Sequence, residues 1–363
     1  MTTHPAQKWM LYGASGYTGR LIAREAVSRG LRPLLAGRDA AKIEPLAAEL
    51  NCEYRAFGLD NAAQIAAALE GLAAVLHCAG PFSATAEPML EACLAAGVHY
   101  LDITGEIEVI ESASRRHDRA LAAGIAILPA VGMDVVPSDC LAARLAEELP
   151  QAVRLELAFS GLLSLSHGTA ATIWENIGRG GRIRQNGQIV RVPAAWKVQE
   201  IPFTRQPQWA MTIPWGDVAS AFHTTGIPNI EVYAAVPSKQ LSVLRRFRSL
   251  APLAGLGIVQ FLGRKWIDRR IRGPCDAELT GGRTEFWGRV TDGAGRIAEA
   301  TLETPNGYTL TVQTSLAILQ QVLAGRVRSG FSTPASALGA GFIETIPDVK
   351  FAWRRRPQNG CSP

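Results

Sequence analysis

Cysteine is scarce in this chain of 363 residues: six in all, at 52, 78, 93, 140, 275 and 361, with no CxxC pair and no cysteine–histidine spacing of the zinc kind. That excludes a zinc finger and a dithiol redox motif, and it suits reduced, buried thiols in a cytoplasmic protein. Long apolar runs are missing too. The longest, Leu250–Leu262, holds 13 residues with Pro252 and two glycines among them, whereas a membrane span needs about 20. Met1–Lys8 is short and polar, so no signal peptide is expected. Charge is sparse at 19%, with a net +5 spread along the chain. That balance suits an anionic ligand and is too weak to imply nucleic acid. What is abundant is apolar character, 47% of residues. The chain therefore folds, and its length allows two domains at roughly 150 residues each.

Short apolar runs at Trp9–Tyr12, Pro33–Ala36, Cys52–Phe57, Ala74–Cys78, Tyr100–Ile103 and Ile125–Leu128 alternate with helical stretches at Arg20–Ser28, Ala40–Leu50, Ala62–Leu69, Glu87–Ala96 and about 108–123. Such alternation predicts parallel βαβ units with right-handed crossovers. Past Pro129 the pattern changes: a helix over Pro137–Leu149, strands at Val153–Ser160 and Glu231–Val236, a hairpin about Asp292–Gly295, then a helix from about 308 to 324. The expected fold class is α/β: a Rossmann-type parallel-sheet domain over 1–135, and an α+β mixed-sheet substrate domain over 136–329. The segment of about 330–363 is a candidate for packing back on the first domain.

The sharpest motif, Gly13-Ala-Ser15-Gly16-Tyr17-Thr18-Gly19, lies between the first strand and the first helix. A dinucleotide pyrophosphate needs free backbone N–H groups, room for close approach and the positive end of a helix dipole. Gly13 would make the turn, Gly16 would admit the phosphates and Gly19 would let the helix pack on the sheet. The spacing is GxxGxxG, so its weight comes from the strand–turn–helix context. At the end of the second strand, where an NAD enzyme places an acid, the chain has Gly37-Arg38-Asp39, with Lys42 a turn later. A guanidinium holds a 2′-phosphate in bidentate fashion, which favours NADP(H). Asp39 reads as the N-cap of the following helix, or else as a partner for the 2′-OH of NAD. Asp60 follows the third strand, beside the adenine or as a plain N-cap, and Ala79-Gly80-Pro81-Phe82 follows the fourth, where the nicotinamide ribose passes.

With these segments the chain resembles the saccharopine dehydrogenase-like family, and within it the group of bacterial trans-acting enoyl reductases and saccharopine dehydrogenase-like oxidoreductases. The resemblance rests on Tyr12–Gly19, Ala36-Gly-Arg38, Cys78–Phe82, the run Glu91–Glu106, Gly132-Met-Asp134 and Pro137-Ser-Asp139, with looser matches at Gly168-Thr169, Thr225–Asn229 and Gly330–Ala335. It implies a Rossmann domain, a mixed-sheet catalytic domain and use of NAD(P)H. It leaves C=C and C=N chemistry both open.

Hydride transfer is the work of the nicotinamide, and the protein supplies orientation and a proton donor. Asp134, beyond the last Rossmann strand, could relay a proton or bond the start of the next helix. Asp102, Thr104 and Glu106 follow the fifth strand, and Glu106 is a candidate for the nicotinamide pocket. His167 is the histidine to test as a general acid. His77 and Cys78 read as core. Trp209, Trp215, Asp217, Phe222 and His223 either line an apolar pocket or belong to the core. Arginines flanking Leu250–Leu262 make 245–272 either a core helix with solvated ends or a peripheral membrane contact. No metal is expected. The expected substrate is small or lipid-like, and a homodimer is a candidate assembly. A non-catalytic NADP(H)-binding protein stands as the alternative of another class.

Overall fold

The computed structural model describes residues 7–161, 180–237, 263, 265 and 281–356. Contacts divide the chain into two units, Met1–Asp134 with Leu310–Ala337 and Val135–Thr309 with Leu338–Pro363.

The first unit is built on strands β1 (Trp9–Tyr12), β2 (Leu34–Gly37), β3 (Tyr54–Ala56), β4 (Ala74–His77), β5 (His99–Asp102), β6 (Ala126–Leu128) and β15 (Gly330–Phe331). They form one seven-stranded sheet in the order β15-β6-β5-β4-β1-β2-β3, and every described pairing is parallel. β1, β2 and β4 are buried at every position, which is why they read as unbroken apolar runs rather than as alternation. The crossovers are α1 (Tyr17–Ser28), α2 (Ala40–Leu50), α3 (Ala62–Leu69), α4 (Phe82–Ala96), α5 (Ile107–Ser114) and α6 (His117–Ala123). Met10, Tyr12, Val75, Met89, Leu90, Tyr100 and Ile127 fill the core of one face. Strand order reverses at β1, whose neighbours are β2 and β4, so the crevice of the sheet opens there.

Two helices depart from expectation. α4 begins at Phe82, five residues ahead of Glu87, because a side chain from another loop caps it. The single helix expected over 108–123 is two, broken at Arg115–Arg116. Arg116 Nη1 donates to the Ser112 carbonyl at 2.8 Å, taking the acceptor that the next turn needs, while its Nε holds Glu91 at 2.7 Å.

The second unit carries α7 (Val136–Glu148) and a sheet with the path β10-β11-β12-β7-β13-β14-β16: β10 (Val198–Pro202), β11 (Pro207–Thr212), β12 (Asn229–Ala235), β7 (Ala152–Ser160), β13 (Arg283–Asp292), β14 (Ile297–Pro305) and β16 (Lys350–Arg355). The hairpin of β8 (Gly181–Gln185) and β9 (Gln188–Val192) joins β12, near α8 (Asp217–Thr225). β12 and β7 run parallel and their other pairings are antiparallel, so the sheet is mixed. On one face α7 lies so close that a Cβ on Gly288 would sit 2.6 Å from Leu145. On the opposite face buried carboxylates are matched by cations. Glu231 takes Lys197 at 2.6 Å and Arg154 at 3.0 Å, and Glu156 takes Arg289 at 2.7 Å. Buried carboxylates demand such partners.

α9 (Gly307–Leu323) carries the chain from the second unit back to the first, which it rejoins at Leu310. The return thus differs from the one expected for about 330–363. Residues 310–337 rejoin the first unit, where β15 extends the parallel sheet on β6. From Leu338 the chain goes with the second, where β16 pairs antiparallel with β14.

Candidate cofactor and proton-donor site

The turn after β1 needs two of its glycines for steric reasons. Gly13 has φ +85°, and a Cβ on it would lie 2.7 Å from the Ala79 nitrogen; a Cβ on Gly19 would collide with the Gly13 carbonyl. The loops leaving β1 and β4 therefore touch at the crevice of the sheet. Gly16 is different. Its φ of −71° suits any residue, it is exposed, and it is the N-cap of α1 without a side-chain cap and with no acid in the first turn. Ser15, Tyr17 and Thr18 beside it are partly exposed. A helix N-terminus left without a carboxylate, at a crevice lined by glycine, fits a diphosphate.

Arg38 is exposed at the end of β2. Asp39 stands at the N-cap position of α2, yet its side chain caps nothing. It pairs instead with Lys42 Nζ at 3.1 Å, because a cation one turn on is the stronger partner. The cap reading of Asp39 is corrected accordingly, and Lys42 has a protein partner. Asp60 is not a cap either. Asn61 Oδ1 caps α3 by accepting from Ala63 N at 3.0 Å and Gln64 N at 3.2 Å, while Asp60 Oδ1 lies 2.6 Å from where a Cβ on Gly58 would be. Tyr12, which sequence reading passed over as a site residue, joins these groups: its hydroxyl donates to the Phe57 carbonyl at 3.0 Å. Burial pushes that hydroxyl up to about 12, Arg38 pulling it down and Asp60 pushing it up. The carboxyl ends of β1, β2 and β3 thus gather one phenol, one guanidinium and one carboxylate.

On the other side of the crevice, Ala79-Gly80-Pro81-Phe82 leads into α4 with Gly80 exposed. Glu106 spans its carboxylate across Phe82 N and Ser83 N, 2.8 Å to each. It caps the N-terminus of α4 from the β5–α5 loop, so each carboxylate oxygen of this candidate holds a backbone amide. His77 is buried, with Nε2 3.1 Å from Thr85 Oγ1, and burial drops it to about 3, so it is a neutral core residue. Asp102 accepts from Tyr100 Oη at 2.7 Å, Ala130 N at 2.8 Å and Thr104 N at 2.9 Å; Thr104 Oγ1 in turn accepts from Glu106 N at 3.0 Å. Burial pushes Asp102 up to about 6 against these bonds. One polar chain thereby ties together the loops after β4, β5 and β6.

Asp134 closes the first unit in the loop after β6. Its carboxyl lies against Gly105, where a Cβ would be 2.8 Å from Asp134 Oδ2, and withdrawal from water pushes it up to about 7. Asp139 of α7 accepts from Thr224 Oγ1 at 2.5 Å. The aromatic stretch is not gathered as one lining. Trp209 is 46% exposed on β11, Phe222 lies under the Arg184 guanidinium at 4.1 Å, and Trp215 packs on Phe159 at 5.0 Å. His167 lies outside the described residues, as does 245–272 apart from Gly263 and Lys265. Among the described residues no group of three or more His, Cys, Asp or Glu could hold a metal ion, and no helix is long and apolar enough to cross a membrane.

Residues 9–128 match the family described as saccharopine dehydrogenase NADP binding domain. A probable mitochondrial saccharopine dehydrogenase-like oxidoreductase of Arabidopsis thaliana is 33% identical over 155 residues, which is 37% of this chain and 34% of that protein. A trans-acting enoyl reductase of Mycobacterium leprae is 36% identical over 138 residues, which is 36% of this chain and 33% of that one. The matched stretch thus spans about a third of the length of these curated relatives. Among solved structures, the apo saccharopine dehydrogenase (L-Glu forming) of Saccharomyces cerevisiae aligns over 96% of this chain and 100% of its own, with a TM-score of 0.65 and 9% identity. That likeness shows the fold.

Proposed function

We propose that this chain, whose first unit is an NADP-binding domain of the saccharopine dehydrogenase-like oxidoreductases, is an NADPH-dependent reductase of a C=C bond in a small or lipid-like metabolite. The observation that carries the reading is Asp134, a carboxyl pushed up to about 7 beside the small residue Gly105, on the loops that follow β6 and β5 at the carboxyl edge of the same sheet. Reduced nicotinamide, when bound, supplies a hydride. Addition of hydride to an activated alkene leaves a carbanionic carbon, and a donor half-protonated near neutral pH is suited to deliver the proton it needs. In this reading Gly13, Gly16 and the amides of Ser15, Tyr17, Thr18 and Gly19 bind the diphosphate. Arg38 takes the 2′-phosphate, Tyr12 and Asp60 border the adenosine, and Ala79–Phe82 borders the nicotinamide ribose. The names of the mycobacterial relatives support the C=C choice.

The test is NADPH consumption against enoyl-thioesters and enoyl-lipids in parallel with oxo-acid plus amine pairs. The reading expects turnover with the enoyl set, falling as pH rises through about 7 as Asp134 loses its proton. Asp134→Asn should cut turnover about 10²-fold or more and remove that limb. Turnover confined to the oxo-acid and amine pairs would replace C=C by C=N chemistry, and tight NADPH binding without oxidation of either set would mark a non-catalytic binder.

A further inference from the structure

Asp134 sits on a segment, 129–135, that belongs to no helix or strand. A side chain on such a segment is aimed only as well as the backbone beneath it is held. Two distant parts of the first unit do the holding. From α9, Thr311 Oγ1 accepts from Met133 N at 3.0 Å, and Thr314 Oγ1 donates to the Val131 carbonyl at 2.9 Å. Both threonines are buried. A Cβ on Gly132 would lie 3.1 Å from Thr311 Cγ2, so the threonine methyl rests on that glycine. From the β5–α5 loop, Gly105 leaves the volume that the Asp134 carboxyl fills. A Cβ there would be 2.8 Å from Oδ2 and 3.1 Å from the Asp134 Cβ, too close for the carboxyl to stay.

We infer that Gly105 and Thr311 are positioning residues for Asp134, forming a socket that keeps its carboxyl aimed and sheltered from water. The inference rests on the reading of Asp134 as proton donor. Gly105 is not in the left-handed region that favours glycine, so alanine is admissible there, and the nearest atoms that its Cβ meets are those of Asp134. The titratable groups on the loop against Asp134 are Asp102, which bonds Tyr100, Thr104 and Ala130, and Glu106, which bonds Phe82 and Ser83. The stretch of α9 from Leu310 to Leu323 contributes no titratable side chain.

The experiment is carbon-13 NMR of the full-length protein labelled at aspartate carboxyls, titrated from pH 5 to 9, with the Asp134 signal assigned by its loss in D134N. The wild type should titrate near 7. G105A should lower the midpoint by about one unit or more as the carboxyl swings to water. T311V, which keeps the shape and loses the acceptor, should lower it by less, and T311S should restore it. NADPH affinity should stay within about twofold in all three. Wild-type midpoints in G105A and T311V would overturn the socket, and if G105A does not fold, the T311V and T311S pair decides alone. Lowered midpoints together with full turnover in D134N would support the socket and overturn only the donor reading.

Discussion

Two helices of the first unit start at the same edge of one parallel sheet, on either side of its crevice, and their N-termini are finished in opposite ways. α1 begins at Gly16 with no side-chain cap and no acid in its first turn, whereas α4 begins under the carboxylate of Glu106. Every helix N-terminus offers amides with no partner inside the helix and the positive end of a dipole, so both ends suit an anion. The protein fills one with a carboxylate from another loop, whereas glycine at the cap of the other brings no side chain to it. Glu106 looked like a candidate for chemistry because it is an acid at the carboxyl edge; beside Gly16 it reads as the internal substitute for the anion that α1 is free to take.

The contrast can be broken most severely at Gly16. G16V keeps a φ and ψ open to valine, its Cβ presses on the Gly13 carbonyl at 3.2 Å, and its branched side chain fills the approach to the α1 amides. NADPH affinity should fall about 10²-fold or more, close to 3 kcal/mol, with the fold intact by circular dichroism. Calorimetric titration giving wild-type affinity would remove the loop from the site. Next in size is Arg38, whose guanidinium should distinguish phosphate from hydroxyl. R38A should raise the NADPH Kd about 10- to 100-fold and change that for NADH by less than about threefold. Equal losses for both would mean that the 2′-phosphate is read elsewhere. The smallest effect on binding belongs to the capped helix. E106A should cost about 1–3 kcal/mol of stability in denaturant melts, because two amides lose a charged acceptor, and should change NADPH affinity by less than about tenfold. A loss of cofactor as severe as in G16V, with stability unchanged, would make Glu106 a ligand contact instead of a cap.

Strands β1, β2 and β4 were legible because burial on both faces forces unbroken apolar runs, and the turn after β1 because Gly13 and Gly19 have no steric alternative. Arg38 was legible because its position follows directly from where β2 ends. Caps were harder. Asp39 and Asp60 both stand where a cap is expected; Lys42 took the first and Asn61 the place of the second, since a neighbouring cation or a better-placed amide wins over sequence position. Tyr12 reads in sequence as one more core residue, and only the strand order brings its hydroxyl near Arg38 and Asp60. In the second unit, the turn Asp292–Gly295 revealed the β13–β14 hairpin, but no local signal showed that β12 lies parallel to β7, because period-two patterning is the same for either direction.

By itself, then, the order of residues determined the parallel sheet, the glycine turn and the basic residue at the end of β2, all of which depend on neighbours within a few positions. Tertiary structure alone decided which carboxylate caps α4 and how the segment carrying Asp134 is held, for Thr311 lies 178 positions from the amide from which it accepts. Local stretches carry propensity and sterics. Competition among partners for one amide or one pocket is settled only when distant segments arrive at the same place.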